Sequence, residues 1–452
     1  MSQSDARVNG DAAIIDPNVV DWDGPDDREN PKNWSARKKA VFIATLGFIS
    51  TLSPLASSIA APGIASIKSD FDVTDTYVGA FMISGFLIGY CCGPLIIAPL
   101  SEVYGRHALY NICSGLFLIF NIACSLAPDS GSMIVFRIFA GIGGSAPLTL
   151  GAGSIADVFP REERGAGMML VTLGPMAAVA VLCTAFLMPE SYAFTLLERK
   201  AKRLRRETES PSLVSALATH RRPKDLLVFS LFRPAKMMFL SPIVFSLSVY
   251  MAVLYGYLYS LFTTFPQVFK QQYGFSQGSA GLAYIGIGVG SVVGLLFAGL
   301  VSDRLVKKLT LRNGGHYQPE YRLPPMLCGA ILVPVGLFWY GWTAEKQLHW
   351  TLPIVGTAIL GCGIVIVLMS TLTYLVDAFT VYAASAMAAN TVTRSLVGAF
   401  LPLAGDELYR QMGLGWGNSL LGIIAKAMIP IPMIFYKYGR AIRQMKLFAI
   451  EF

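Results

Sequence analysis

Arg137 stands inside a long apolar stretch, Phe136-Arg137-Ile138-Phe139-Ala140-Gly141-Ile142-Gly143-Gly144. Charge is costly in hydrocarbon, so an ionisable residue there marks an ion or substrate path, unless it gives its donors to backbone carbonyls and ties helices together. Arg394 and Lys426 are further charges within apolar runs. Tyr250, Leu254, Tyr257 and Leu261 recur at helical spacing, with Tyr255 and Tyr259 beside them. Aromatic bodies with hydroxyl tips suit an amphipathic organic ligand, which makes Tyr250 and Tyr257 candidates for a substrate cavity. The same pattern also serves helix packing or an interfacial aromatic belt. Asn390 adds a weaker polar candidate.

A second constellation occurs twice. Gly85, Gly89 and Gly93 reappear as Gly286, Gly290 and Gly294, and each strip leads to a serine-acid pair, Ser101-Glu102 in one copy and Ser302-Asp303 in the other. Glycines four apart form a smooth face for close helix packing, and their repetition at a constant offset divides the chain into two related halves. Gly105 permits a tight turn after the first strip. Glu102 is placed to pair with Arg106, and Asp303 with Arg304 as the counterpart. Such contacts, broken and remade, would gate exchange between two open states; a static structural ion pair is the other reading.

Long apolar elements must position these groups. The chain is 54% hydrophobic and 14% charged, with mean hydropathy +0.54, far from soluble composition. Eleven apolar runs approach bilayer-spanning length, near 40–63, 77–99, 108–127, 133–158, 166–188, 238–264, 279–301, 324–343, 351–376, 384–404 and 416–436. Their length and lack of alternation predict helices, not barrel strands, and an all-α membrane protein.

The net charge of +8 gathers in loops, including Arg37, Lys38 and Lys39, Arg161 and Arg164, and Lys307, Lys308 and Arg312. Loops of this kind mark the cytoplasmic face, so the charge points to no nucleic-acid partner. The seven cysteines fall within apolar runs without metal-ligand spacing and read as small packing residues. No Gly-x-x-x-x-Gly-Lys-Ser/Thr stretch, nucleophile elbow or zinc helix motif is present. ATP-driven transport and membrane enzymes are therefore disfavoured, no cofactor is implied, and ion-coupled secondary transport remains.

Several stretches together resemble the major facilitator superfamily, and within it the fungal drug:proton antiporters of the twelve-helix group. Ala98-Pro99-Leu100-Ser101-Glu102-Val103-Tyr104-Gly105-Arg106-His107 is similar to the family's loop motif, with Glu102 for the commoner Asp, and the run around Arg137 to its fourth-helix motif. Asp21-Trp22-Asp23-Gly24-Pro25 with Asn30-Pro31-Lys32-Asn33-Trp34, Leu197-Glu198-Arg199-Lys200, and Tyr382-Ala383-Ala384-Ser385-Ala386 fit the fungal group. The resemblance implies a major facilitator fold of two pseudo-symmetric helical bundles, with small-molecule substrate and protons as partners in the lipid bilayer. It also implies a role for Arg137 in proton coupling or substrate orientation.

The expected organisation is a cytoplasmic, disordered tail over 1–39, an incomplete N-terminal bundle over 40–188, a cytoplasmic linker over 189–237, a C-terminal bundle over 238–436 and a cytoplasmic tail over 437–452. Proton-coupled efflux of drugs, toxins or secondary metabolites at the plasma membrane is the expected function. Polyamine or nutrient transport and an inactive remnant are the alternatives. The remnant arises because Leu173-Gly174-Pro175 runs directly into Met176-Ala177-Ala178-Val179, where the family carries the rest of helix five, a loop and helix six. One span over 166–188 would place Arg161 and Arg199 on opposite faces, so a re-entrant segment is expected.

Overall fold

The computed structural model describes residues 19–158, 193–207, 213–215 and 233–444, apart from 25, 28, 59, 62, 277, 278, 280, 380 and 381. The 166–188 segment and the question of its topology lie outside the described residues. Backbone polar groups in lipid must be satisfied within the element, and the long apolar runs accordingly fold as helices.

The first half comprises α1 (Ala36–Ser58), the short α2 (Ile64–Asp70), α3 (Thr76–Tyr104), α4 (Arg106–Ser125), α5 (Ser130–Gly144) and α6 (Ala146–Val158). Asp75 starts α3 by accepting from the Tyr77 N–H at 2.7 Å, and Asp129 starts α5 in the same way through Ser132. The second half comprises α8 (Pro242–Tyr273), α9 (Tyr284–Arg312), α10 (Pro324–Glu345), α11 (Thr351–Phe379), α12 (Ala383–Phe400), α13 (Pro402–Ala427) and α14 (Pro430–Gln444). Helix α8 ends at Gly274, whose φ of 65° closes it. Gly413, at φ 74°, kinks α13.

The repeated glycines explain the pairing of helices. A Cβ on Gly89 would overlap the Ile138 carbonyl oxygen of α5, and one on Gly290 the Ala358 carbonyl oxygen of α11. Each strip thus seats α3 on α5, or α9 on α11, at backbone contact, and the two halves repeat one packing solution. The halves meet chiefly where α12 lies against α3 and α6.

Nine helices among the described residues are long and apolar enough to cross a membrane, against the eleven apolar runs of the sequence. One difference is the 384–404 run, which folds as α12. Asn390, Thr391, Thr393, Arg394 and Ser395 make it less apolar than α11 before it, and all but Thr393 are buried against protein. The other, 166–188, is not described.

The tail departs from expectation. Among the described residues, from Val19 on, order replaces the disorder expected over 1–39: Val19–Val20 (β1) pairs in parallel with Val214–Ser215 (β2). Helix α7 (Ala193–Glu207) turns Leu197, Lys200 and Ala201 to its buried face. Lys200 Nζ lies 2.8 Å from Asp23 and 3.1 Å from Asp27, and Arg203 lies 3.0 Å from Glu29. Asn30 caps the turn Pro31–Asn33, and Trp34 packs edge-on against Phe42. A polar tail holds its shape here because a cationic helix meets its carboxylates.

Candidate functional site

Helix α5 carries Arg137 into the junction between halves, where it is 5% exposed. Its Nη2 donates to the Ser57 carbonyl at 2.7 Å and the Ile83 carbonyl at 3.4 Å. Ser57 lies one residue from the end of α1, where carbonyls lack an intrahelical donor, and the guanidinium supplies one. The face of the guanidinium lies over Phe86, and its Nε has no hydrogen-bond partner.

From Ser57 the contacts run into the second half. Ser57 Oγ is hydrogen-bonded to Tyr259 OH at 2.7 Å, and the Tyr259 and Tyr255 rings are 5.1 Å apart. Tyr255 in turn lies beneath the Arg394 guanidinium of α12, at 5.0 Å. Ser53 joins the cluster through hydrogen bonds to Tyr90 OH and the Gly144 carbonyl. Asn390 sits one turn before Arg394 on α12, buried, with its Nδ2 3.5 Å from Ser248 Oγ on α8. Lys426, the third charge noted within an apolar run, is exposed in the last turn of α13.

The tyrosines of α8 fall on two faces. Tyr250 and Tyr257 are buried inside the second half, where Tyr257 OH donates to the Leu421 carbonyl of α13 at 3.0 Å. Tyr255 and Tyr259 look across the junction instead. On a helix, residues four apart share a face while positions two along point nearly opposite, so Tyr255 and Tyr259 turn away from Tyr257. The sequence marked the helix; the partner that selects its face comes from a distant part of the chain.

The charged ends of the halves hold partners from more distant parts of the chain. Gly105, at φ 82°, makes the turn between α3 and α4, and Arg106 beside it is buried. Arg106 Nε reaches Asp157 at the end of α6, at 2.7 Å; the Glu102 side chain lies outside the described residues. In the second half Asp303 pairs with Arg322, not with its neighbour Arg304, which is exposed. Successive helical residues diverge by about 100°, so Arg304 points away from the half-buried acid. Arg322 is fully buried and also holds Asp377 at 3.0 Å and Ser302 Oγ at 3.1 Å. Tyr317 OH donates to Asp377 at 2.6 Å. The sequence signal for Asp157 and Asp377 is slight: each is an acid closing an apolar run.

Two helical halves built on a repeated helix pair and closing on buried charge define the fold of a multi-pass membrane transporter. The sequence model of the Major Facilitator Superfamily matches residues 46–174 and 168–402. The chain is 53% identical to the MFS-type transporter penM of Penicillium rubens, over 97% of this chain and 92% of that protein. It is 45% identical to the MFS transporter cpaT of Aspergillus oryzae, over 96% and 93%, and 41% identical to the efflux pump radE of Floropilus chiversii, over 96% and 87%. The proton:xylose symporter XylE shares the fold, with a TM-score of 0.64 at 17% identity over 88% of this chain and 95% of that one. The chain belongs to the major facilitator superfamily.

The alignment with the Penicillium relative runs over 468 positions, more than the 452 residues here, so that relative carries residues without a counterpart in this chain. The two family matches overlap at 168–174, beside Leu173-Gly174-Pro175.

Proposed function

We propose that the protein is a secondary transporter that exports small amphipathic organic compounds in exchange for protons, at the plasma membrane, with both termini and the 189–237 linker cytoplasmic. The observation that carries this reading is Arg137, a buried charge at the junction of the halves whose hydrogen bonds among the described residues go to backbone carbonyls. A guanidinium does not release its proton, so Arg137 acts on coupling through its fixed charge and through the helices it ties. The name of the Floropilus relative, an efflux pump, supports the direction.

Alternating access follows from the two halves rocking about the junction. The Arg106–Asp157 pair and the Arg322 network lie at the loop ends carrying most basic residues, where they would hold one face closed. Everted vesicles under an imposed pH gradient test the reading: the parent accumulates exported compound, while Arg137→Ala inserts normally and loses gradient-driven transport. Equal transport by the two at equal expression removes Arg137 from the mechanism. Absence of export by the parent favours the inactive remnant, and a helical hairpin inserted between Pro175 and Met176 should then restore it.

A further inference from the structure

We infer that the exported compound carries a carboxylate, and that Arg137 and Arg394 together form its binding site. The inference rests on the efflux reading and narrows it. Arg137 comes from the first half and Arg394, 2% exposed, from the second. One line of contacts joins them through Ser57, Tyr259 and Tyr255. Among the described residues neither guanidinium meets a carboxylate, and the Nε of each is buried without a hydrogen-bond partner.

A buried cation is normally paired, and one without a partner is strongly destabilising. The other buried arginines obey this: Arg106 has Asp157, and Arg322 has two acids. Backbone carbonyls and aromatic faces satisfy some of the donors on Arg137 and Arg394 but supply no neutralising charge. Two such cations, one from each half, leave the junction short of negative charge among the described residues. An acidic ligand supplies it, and the planar guanidinium donors match the two oxygens of a carboxylate. Phe86, Tyr255 and Tyr259 beside the arginines are buried against one another here and would face the rest of an amphipathic molecule as the halves part.

The test uses the purified full-length chain in detergent with two matched pairs of probes: naphthalene-1-acetate with naphthalene-1-acetamide, and decanoate with decanamide. Thermal stabilisation by the acids and not by the amides is expected. Arg394→Gln should weaken acid binding about ten- to a hundredfold, the range of a charge-assisted contact, and Arg394→Lys should retain part of it. Equal response to acid and amide, or no response to either acid, overturns the inference. If Arg394→Gln fails to fold, the acid-amide comparison on the parent still decides. Export of the cationic dye rhodamine 6G by vesicles without any acid binding leaves efflux standing and removes the anion site. Acid binding without export of any probe keeps the site and removes the efflux reading.

Discussion

The two halves share a backbone plan but end in different electrostatics. In the first, Arg106 and Asp157 form a pair whose aspartate keeps 21% of its side-chain surface exposed. In the second, Arg322 is sealed between Asp303 and Asp377, with Ser302 and Tyr317 completing the shell. Duplication preserved what geometry requires, the glycine strips and the serine before the acid. It left free the choice of partner, because many residues can approach the end of a helix.

The difference is sharpest where a charge is removed. Arg322→Met orphans two acids in a buried site, and a loss of about 3–5 kcal/mol is expected, read as a large fall in melting temperature and in folded yield. A melting temperature equal to the parent would mean that water already screens the network and that the halves do not differ. Asp157→Asn should cost less, about 2 kcal/mol, since the asparagine carbonyl still offers the buried Arg106 a neutral acceptor and only one acid is involved. If the Asp157 variant proves the weaker of the two, the comparison is reversed.

Kinetics sharpen the same contrast. On the gating proposal, Glu102→Ala and Asp303→Ala each slow exchange between inward- and outward-open states, with the larger effect for Asp303, whose partner is fully buried. Single-molecule distance measurements between α3 and α9 give both rates. Parental rates in both variants would reduce the acids to structural charges.

How much of this was legible from the chain alone follows from the range of each interaction. The helices, the division into halves and Arg137 were visible because apolar length, repetition and a charge in an apolar run are local properties. The glycine strips were visible for the same reason. Asp157 for Arg106, and Arg322 for Asp303, were missed because nearest-neighbour pairing ignores the direction a helix gives each side chain. Tyr255 and Tyr259 were placed beside the chosen face because periodicity defines faces without saying which one meets the other half. The order of the tail was missed because composition counts its carboxylates but does not show that α7 brings Lys200 to them.

That tail carries the smallest expected effect, and it tests whether partial exposure weakens an ion pair as it does in the first half. Burial pulls the Lys200 amine down, but hydrogen bonds and charge from Asp23 and Asp27 outweigh it and hold the amine above its ordinary range. The Asp27 carboxyl is held below its ordinary value, chiefly by the Asp23 backbone N–H, with burial opposing and the Glu29 N–H and Lys200 adding to it. A depressed carboxyl contributes stability above its unfolded value, about 3.9, and loses it as pH falls through the lower folded value. A raised amine contributes below its unfolded value, about 10.4, and loses it as pH rises past the folded one. Tail attachment should therefore be constant between about pH 5 and 9. Lys200→Met should cost about 1 kcal/mol, because Asp23, 80% exposed, recovers its hydration and Asp27, though buried, keeps the Asp23 and Glu29 N–H donors. Limited proteolysis ahead of Trp34 measures it: cleavage should rise several-fold in the variant, stay flat for the parent across that window and increase below about pH 4. A parental cleavage rate that climbs between pH 5 and 7 would show that groups other than Lys200 and Asp27 hold the tail.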